Sequence, residues 1–338
     1  MPALDGLRAA SILPVVFHHA TPRPLEGALG RGPLGVDLFF ALSGFLITSL
    51  LLDERRRTKT VHLKAFYARR SLRLMPLYYL VLGLYAAYAG LVLAPSPVRD
   101  YFFRTLPFYV TYTQNWFSRD ADHPVLFLFS WSLATEEQFY ALWAPALRWL
   151  HGTVAPAALM VALIAADQLV EQGVILEGAP QAARIVKSFA TPIGLGCLVA
   201  LAADHDVLGP RVRWFLERPA TKWLTQAGAV AAFAVGIPLV LAHVIFALLV
   251  GAAALDDGRS IAFAWARRPA VAWVGRVSYG IYLLHVSVIA VVHRVFPAMR
   301  ESAFFVFALS FPASIAVATG TFWLVERPIA RLRERFRF

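Results

Sequence analysis

The sequence contains little charge and almost no cysteine. Charged residues make up 16% of the 338 positions, against about 25% in an average soluble domain, and 59% are hydrophobic. The one cysteine, Cys197, lies in an apolar run, which excludes a disulfide framework and a thiolate metal site. A typical cleavable signal peptide is also missing, because only one early basic residue accompanies the first apolar run. These deficits indicate a helical membrane protein whose first apolar run is retained.

The charge that is present is strongly unbalanced, with a formal net value of +11. In a soluble chain this balance would suggest nucleic-acid binding. Here the arginines and lysines collect in short loops between apolar runs, as they do in the cytoplasmic loops of membrane proteins. The positive-inside rule therefore accounts for most of the charge, and we expect no nucleic-acid partner.

Apolar runs that approach the length needed to span a bilayer, about 20 residues, follow one another along the chain. Eleven candidates lie at about residues 7–22, 34–52, 72–94, 101–117, 128–150, 153–172, 184–203, 222–239, 240–255, 276–296 and 302–325. We expect both the basic loop at 55–70 and the arginine-rich C-terminal tail in the cytoplasm. The loop position also places the N-terminus there, and eleven crossings cannot put both termini on the same side of the membrane. The run at 101–117 is the weakest, because it includes Arg104, Gln114 and Asn115. We predict that it is re-entrant or interfacial.

This topology leaves about ten transmembrane helices with both termini in the cytoplasm. The sequence shows no internal repeat, low-complexity segment or domain linker. We therefore predict an all-α polytopic protein that forms one membrane domain over residues 1–338, without an appended soluble domain. The expected location is the inner, or cytoplasmic, membrane of the cell, with the lipid bilayer as its surroundings.

Two kinds of ionisable side chain occupy the first apolar run, LDGLRAASILPVVFHHA at residues 4–20. Arg8 and His19 are separated by about 1100° of helical rotation, so they lie within roughly 20° of one face and about 16 Å apart along the axis. Each would cost roughly 2 to 4 kcal/mol at mid-membrane depth, so we expect them to be used. His18 is turned about 100° away, so the spacing favours His19. The alternative is that both histidines only solvate the outer end of the helix.

Carboxylates occur in two further apolar runs. Asp37 stands near the start of GVDLFFALSGFLITSLL, where it either orients and charges the histidine or caps the helix. In FSWSLATEEQFYALW, Ser132 and Glu136 share one helical face that Tyr140 continues, while Glu137 turns away. We expect this face to line a polar cavity, the alternative being a solvated interface.

An arginine pair ends the basic loop, in FYARRSLRLMPLYY. Arg70 and Arg73 are about one helical turn apart at the cytoplasmic membrane boundary, where planar guanidinium groups suit phosphate oxygens. The pair predicts an anchor for an anionic cytoplasmic ligand such as a nucleotide-bearing cofactor. Lipid head groups are the alternative ligand.

A later helix, in WVGRVSYGIYLLHVSV, carries Ser278, Tyr282 and His285 on one stripe. A single histidine such as His285 is more often a hydrogen-bonded structural residue than a catalyst. Four other ionisable side chains have no partner close in sequence and are interpreted as structural: His243, His293, Asp167 and Lys187.

Taken together, these blocks resemble the acyltransferase family 3 membrane proteins, which O-acylate sugars, polysaccharides and some antibiotics. The resemblance rests on LDGLRA with its arginine-to-histidine spacing, GVDLFFALSGFLIT, the RxxR element of FYARRSLRLMP, WSLATEEQFY and GRVSYGIYLLH. It covers nearly the whole chain. It implies a ten-span core, acyl-CoA as the donor and a hydroxyl acceptor on a carbohydrate, glycolipid or similar molecule.

The resemblance also assigns the functional residues of the family to positions in this chain. Its essential arginine and histidine, its RxxR pair and its SxxxE element correspond to Arg8, His19, Arg70, Arg73, Ser132 and Glu136. His18 stands where an apolar or aromatic residue is more usual. Many relatives carry a C-terminal hydrolase-like domain, which this sequence does not show.

The expected reaction is acyl transfer from a thioester to an alcohol. His19 would take the hydroxyl proton, oriented by Asp37 or Glu136, or would carry the acyl group itself. Arg70 and Arg73, with Arg8, would hold the phosphates of acyl-CoA, and no metal is required. Ser132, Tyr140 and His285 would support the site.

Two other functions use the same features differently. A secondary transporter or flippase would use the buried charges as an ion pathway, but the sequence lacks the pair of matching broken helices that points to an inverted repeat. A non-catalytic membrane assembly partner would have no use for a costly set of buried acid, base and arginine side chains. We therefore favour the enzyme.

Overall fold

The computed structural model of the chain describes residues 2–20, 27–118 and 125–333. The regular secondary structure in these ranges is helical. These ranges contain no β-strand, so the predicted all-α class is confirmed. The α-helices are α1 (Pro2–His18), α2 (Leu34–Thr58), α3 (Leu63–Leu91), α4 (Pro97–Val110), α5 (Gln114–Phe117), α6 (Trp131–Trp149), α7 (Val154–Glu171), α8 (Pro180–Lys187), α9 (Thr191–Asp204), α10 (Gly209–Glu217), α11 (Pro219–Ala234), α12 (Leu239–Ala254), α13 (Pro269–Arg276), α14 (Ser278–Val295), α15 (Ala303–Thr321) and α16 (Arg327–Arg333). The ends of the predicted first run and of the arginine-rich tail lie outside these ranges.

Six helical segments in the described residues are long and apolar enough to cross a membrane. They are Gly27–Thr58, Leu63–Leu91, Val154–Glu171, Pro180–Asp204, Ser278–Val295 and Ala303–Leu332. Helices α1 and α12 are apolar but have only 17 and 16 residues. The membrane class is therefore supported by six spans, and the count of ten stays a prediction.

The segment predicted to be re-entrant or interfacial consists of α4 and the single turn α5. Side chains from α5 hold the start of α6 through amide hydrogen bonds. Asn115 donates to Gln138 at 2.9 Å and accepts from it at 2.8 Å, and Gln114 donates to the Ser130 carbonyl oxygen at 2.9 Å. Because these bonds replace water for buried amides, the segment fixes the helix that carries Ser132 and Glu136.

Helix α2 lies at the centre of the helix packing. It contacts α1, α9 and α12, while α1 also runs along α13, and α14 pairs with α15. Small residues let α1 approach α13 closely, as at many helix contacts in membranes. A Cβ atom on Gly275 would lie 1.7 Å from the Asp5 carbonyl oxygen. This glycine therefore fixes the position of α1 and of the arginine that α1 carries.

We expect Gly275→Ala to destabilise the protein, because the added methyl group must push the α1 backbone away at a cost of roughly 1 to 3 kcal/mol. Gly83→Ala is the matched control, since no atom lies within 4 Å of a Cβ built there. The measurement is the apparent melting temperature in detergent, followed by size-exclusion chromatography. Equal melting temperatures for both variants and the parent would contradict this account of the α1–α13 contact.

The four ionisable residues without a partner close in sequence all have a contact across the fold. His293 Nε2 lies 3.2 Å from the Ala20 carbonyl oxygen, His243 lies near Asp37, and the other two contacts join neighbouring helices. The Asp167 carboxylate accepts from the Thr191 backbone amide at 3.0 Å and from its hydroxyl at 2.6 Å. Lys187 forms an ion pair with Glu171 at 2.5 Å. Both contacts join α7 to the α8–α9 region, which agrees with a structural role.

Candidate active site

A cavity of about 190 Å³ lies between α1, α2, α3, α6, α13 and α14, and we call it the arginine cavity. Eight of the side chains selected from the sequence line it, namely Arg8, Arg70, Arg73, Ser132, Glu136, Tyr140, Ser278 and Tyr282. The structure adds Arg276 from the end of α13. Four guanidinium groups therefore converge from three helices that are far apart in sequence.

Most of these arginines have no carboxylate partner. Arg8 forms an ion pair with Asp5 at 2.7 Å. Within the described ranges, Arg70, Arg73 and Arg276 form no ion pair and no hydrogen bond. The cavity is thus strongly positive, with one lining carboxylate, and such a site suits an anionic ligand with several oxygen atoms.

The lining carboxylate, Glu136, is held by hydroxyl groups. Ser43 donates to its Oε1 atom at 2.5 Å, and the Tyr140 hydroxyl donates to the same oxygen. The Tyr140 ring in turn lies under the Arg70 guanidinium, 5.2 Å from ring centroid to Cζ. This cation–π contact links Glu136 to the position of Arg70.

A groove of about 370 Å³ lies beside the arginine cavity, along the basic loop. Leu50, Arg70 and Arg73 line both spaces. The groove adds Glu54 and Arg69, which form an ion pair at 2.7 Å. A ligand too large for the cavity can therefore extend from it toward the loop predicted to be cytoplasmic.

His19 lines a different and larger space of about 760 Å³, the histidine cavity. Its ring Nδ1 lies 2.8 Å from the Val15 carbonyl oxygen. Because a carbonyl oxygen only accepts, Nδ1 is the donor, and in the neutral ring Nε2 carries the lone pair. The backbone of α1 thus fixes the histidine in a tautomer whose Nε2 is free to accept a proton.

Four residues separate the two cavities, and we call them the barrier: Ser132, Tyr282, Phe129 and His285. Ser132 and Tyr282 line the arginine cavity, and Phe129 lines the histidine cavity. The Tyr282 hydroxyl lies 2.6 Å from the Ser132 hydroxyl and donates to the Phe129 carbonyl oxygen at 2.6 Å. His285 is fully buried, and its ring centroid lies 5.0 Å from that of His19.

Three histidine rings, those of His18, His19 and His285, lie close together. The His18 ring lies 5.3 Å from His19, edge to face. Over the ranges that the structure describes, no group of three His, Cys, Asp or Glu side chains could hold a metal ion. His285 Nδ1 donates to the Tyr282 carbonyl oxygen at 2.6 Å, so this ring too presents Nε2 as an acceptor.

Asp37 is the predicted site residue that faces elsewhere. Its carboxylate lies 3.2 Å from His243 Nε2, although the contact is not aligned as a hydrogen bond, and the structure gives it no contact with His19. The reason is helical rotation, because Asp37 is turned about 100° from Val36, which lines the arginine cavity. His243, which has no partner close in sequence, therefore has a contact across the fold.

Glu136 is likewise separated from His19, because the two residues line different cavities. The described contacts of His19 are with Val15, His18 and His285. The expected orientation of His19 by Asp37 or Glu136 thus has no counterpart in the observed contacts. Any role of either carboxylate in catalysis stays a prediction.

Several lining residues were missed in the sequence, among them Arg276, Ser43 and Arg184. Arg276 is the last residue of α13, whereas Tyr279 and Tyr282 lie on α14, so helical spacing does not connect them and gave no signal. Ser43 is an isolated hydroxyl in an apolar run, which gave no signal. Arg184, which lines the histidine cavity, comes from the short helix α8 and was also unmarked.

A family model described as an acyltransferase domain, Acyl_transf_3, matches residues 1–324. A putative O-acetyltransferase, SAS0844, of Staphylococcus aureus strain MSSA476 is 38% identical over 147 residues, which are 41% of this chain and 23% of that protein. O-acetyltransferase OatA of Staphylococcus aureus strain NCTC 8325 is 37% identical over 150 residues, 42% of this chain and 24% of the relative. The match thus spans about a quarter of these curated relatives. No solved structure matches at a significant level.

Proposed function

The chain belongs to the acyltransferase family whose model matches residues 1–324, and we propose that it is an integral-membrane O-acyltransferase. The donor is acyl-CoA, with an acetyl or longer acyl group. The acceptor is a hydroxyl group of a carbohydrate, a glycolipid or a similar molecule. In the reaction, the acceptor oxygen forms an ester bond to the acyl carbon, the carbon–sulfur bond breaks, and the hydroxyl proton ends on the CoA thiol.

The observation that carries this proposal is the set of unpaired arginines. Arg70, Arg73 and Arg276 line one cavity without an ion pair in the described ranges, and Arg8 joins them. Arg70 is half-buried and has no charged partner among the described residues, which is costly, whereas Arg73 and Arg276 are exposed and add positive charge around the same cavity. Phosphate oxygens offset this cost through charge-assisted and bidentate hydrogen bonds. Acyl-CoA carries phosphates at its nucleotide end, so binding it accounts for all four side chains.

The shape of the site supports the orientation of the donor. The nucleotide would occupy the groove beside the basic loop, and the thioester arm would extend through the arginine cavity toward the barrier. Acyl-CoA is a cytoplasmic metabolite, so this orientation agrees with a cytoplasmic basic loop and cytoplasmic termini in the cell membrane.

His19 is the proposed base. Its Nε2 lone pair accepts the hydroxyl proton as the acceptor oxygen attacks the thioester carbonyl. A covalent route uses the same atom, since Nε2 can attack the thioester, release the thiol and pass the acyl group to the hydroxyl. In both routes the acyl group must cross the barrier, and the acceptor reaches His19 through the histidine cavity.

Glu136 acts in this proposal as a positioning residue for the donor site. We expect Glu136→Ala to raise the KM for acyl-CoA about tenfold or more, because it leaves the Ser43 and Tyr140 hydroxyls unsatisfied at roughly 1 to 3 kcal/mol each. We expect Glu136→Gln to restore much of the affinity, since its amide oxygen still accepts. Steady-state kinetics with varied acyl-CoA measure both, with the exposed Glu177→Gln as control. If the Ala and Gln variants lose the same affinity for acyl-CoA, the effect comes from the negative charge of Glu136 and not from the hydrogen bonds that it accepts.

Mass spectrometry of cell-surface glycans, lipids and secreted metabolites, with and without the protein, tests the proposed function. Increments of acetyl or longer acyl size that depend on the protein are the expected result. Their absence, together with substrate-dependent flux across the membrane, would overturn the enzyme and favour a transporter or flippase.

A further inference from the structure

Two buried polar atoms of the histidine cavity have no hydrogen-bond partner in the part of the chain that the structure describes. Gln114 and Ser118 line the cavity and are each 2% exposed. The Gln114 amide nitrogen donates to the Ser130 carbonyl oxygen, but Gln114 Oε1 and the Ser118 hydroxyl have no hydrogen-bond partner among the described residues. Leaving a buried polar atom unsatisfied is costly. These atoms are therefore suited to hydroxyl groups of a ligand.

A cation lies in the same cavity. Arg184 reaches in from α8 and is half-buried, and one of its nitrogens donates to the Trp116 carbonyl oxygen at 3.3 Å. It forms no ion pair with a described residue, and the described lining of the cavity includes no Asp or Glu. Its remaining guanidinium donors have no described partner, and they suit an anionic group.

Five of the fourteen described residues that line the cavity are Phe, Tyr or Trp. They are Tyr85, Tyr109, Phe127, Phe129 and Trp131. Flat ring faces beside a few polar groups are typical of sites that orient a ligand by stacking and specify it by hydrogen bonds. The C–H faces of a pyranose ring match such walls, and its hydroxyls match the amide and hydroxyl groups.

We propose that the histidine cavity selects an acceptor sugar that carries an anionic substituent, a carboxylate or a phosphate. Arg184 binds the anionic group, Gln114 Oε1 and the Ser118 hydroxyl bind ring hydroxyls, and the reacting hydroxyl lies at His19. This inference rests on the proposed function only in calling the sugar an acceptor, because the binding site itself is defined by the cavity.

The test is binding of three probes to the full chain in lipid nanodiscs, measured by saturation-transfer NMR. Trigalacturonate and galactose 1-phosphate are the anionic probes, and maltotriose is the neutral one. We expect at least one anionic probe to bind about tenfold more tightly than maltotriose, which corresponds to about 1.4 kcal/mol. Binding of both anionic probes means that the site accepts either group, and binding of one alone identifies that group.

Variants on α8 locate the effect. Arg184→Gln is expected to reduce the affinity for the anionic probe about tenfold and to leave maltotriose binding unchanged. Lys187→Gln is the matched control, one turn further along α8, where Lys187 pairs with Glu171 and does not line the cavity. It is expected to change nothing. Retained acetyl-CoA binding in Arg184→Gln confirms that this variant is folded.

Three results would overturn the proposal: no preference for either anionic probe, a preference that survives Arg184→Gln, or an equal loss in Lys187→Gln. Failure of the proposed function is distinguishable from these. If the anionic probe binds through Arg184 but no acyl transfer occurs, the site stands and the enzyme does not. If transfer occurs without an anionic preference, the enzyme stands and this inference is wrong.

Discussion

Replacing His19 with alanine will abolish acyl transfer while leaving acyl-CoA binding intact. The variant removes the one described imidazole that lines the histidine cavity, and loss of a general base typically lowers the rate by roughly 10²- to 10⁴-fold. Acyl-CoA affinity should survive, because His19 does not line the arginine cavity. The two measurements are turnover with a hydroxyl acceptor and equilibrium binding of acetyl-CoA to the same preparation.

His18→Ala is the matched control for this experiment. It removes an adjacent imidazole whose ring centroid lies 5.3 Å from that of His19, and it should retain most of the activity. Full activity in His19→Ala would remove the histidine from the mechanism. Activity lost only in His18→Ala would move the role by one residue.

The second large effect concerns the donor. We expect the double variant Arg70→Gln, Arg73→Gln to weaken acyl-CoA binding more than about 100-fold, because each charge-assisted hydrogen bond to phosphate contributes roughly 1.5 to 3 kcal/mol. The measurement is the Kd of acetyl-CoA at low and at high ionic strength. The salt dependence of the parent should also be reduced in the variant.

Arg104→Gln controls for the loss of positive charge. Arg104 lies on α4, with its guanidinium 5.2 Å from the Tyr101 ring centroid, and does not line the arginine cavity. It should bind acetyl-CoA like the parent. An unchanged Kd in the double variant would show that the arginine cavity is not the donor site and would favour lipid head groups as the ligands of the pair.

Local sequence patterns predict much of the fold and part of the candidate site. Long hydrophobic runs predict helices here, because a helix needs about 20 apolar residues to cross the hydrocarbon core of a bilayer. The i, i+4 spacing of Ser132 and Glu136 places both on one face, and both line the arginine cavity. The separation of Arg8 and His19 by about 16 Å of helix rise agrees with their lining two different cavities.

Contacts between distant helices could not be predicted. Asp37 faces His243 across the α2–α12 contact, about two hundred positions along the chain, and no local pattern connects them. The same limit hid Arg276, whose approach to Arg8 depends on how closely Gly275 lets α13 pack against α1. Periodicity identifies the face that a side chain occupies, whereas packing between helices decides what that face meets.

The central claim is that one membrane domain moves an acyl group from a donor in the arginine cavity to a hydroxyl in the histidine cavity. The most direct measurement uses the purified protein in proteoliposomes with acetyl-CoA and a glycan fraction from the cell envelope, following free CoA thiol and ester formation together. The account predicts equal amounts of both products with the parent and neither with His19→Ala. Thiol release without ester, or ester formed equally well by His19→Ala, would contradict it.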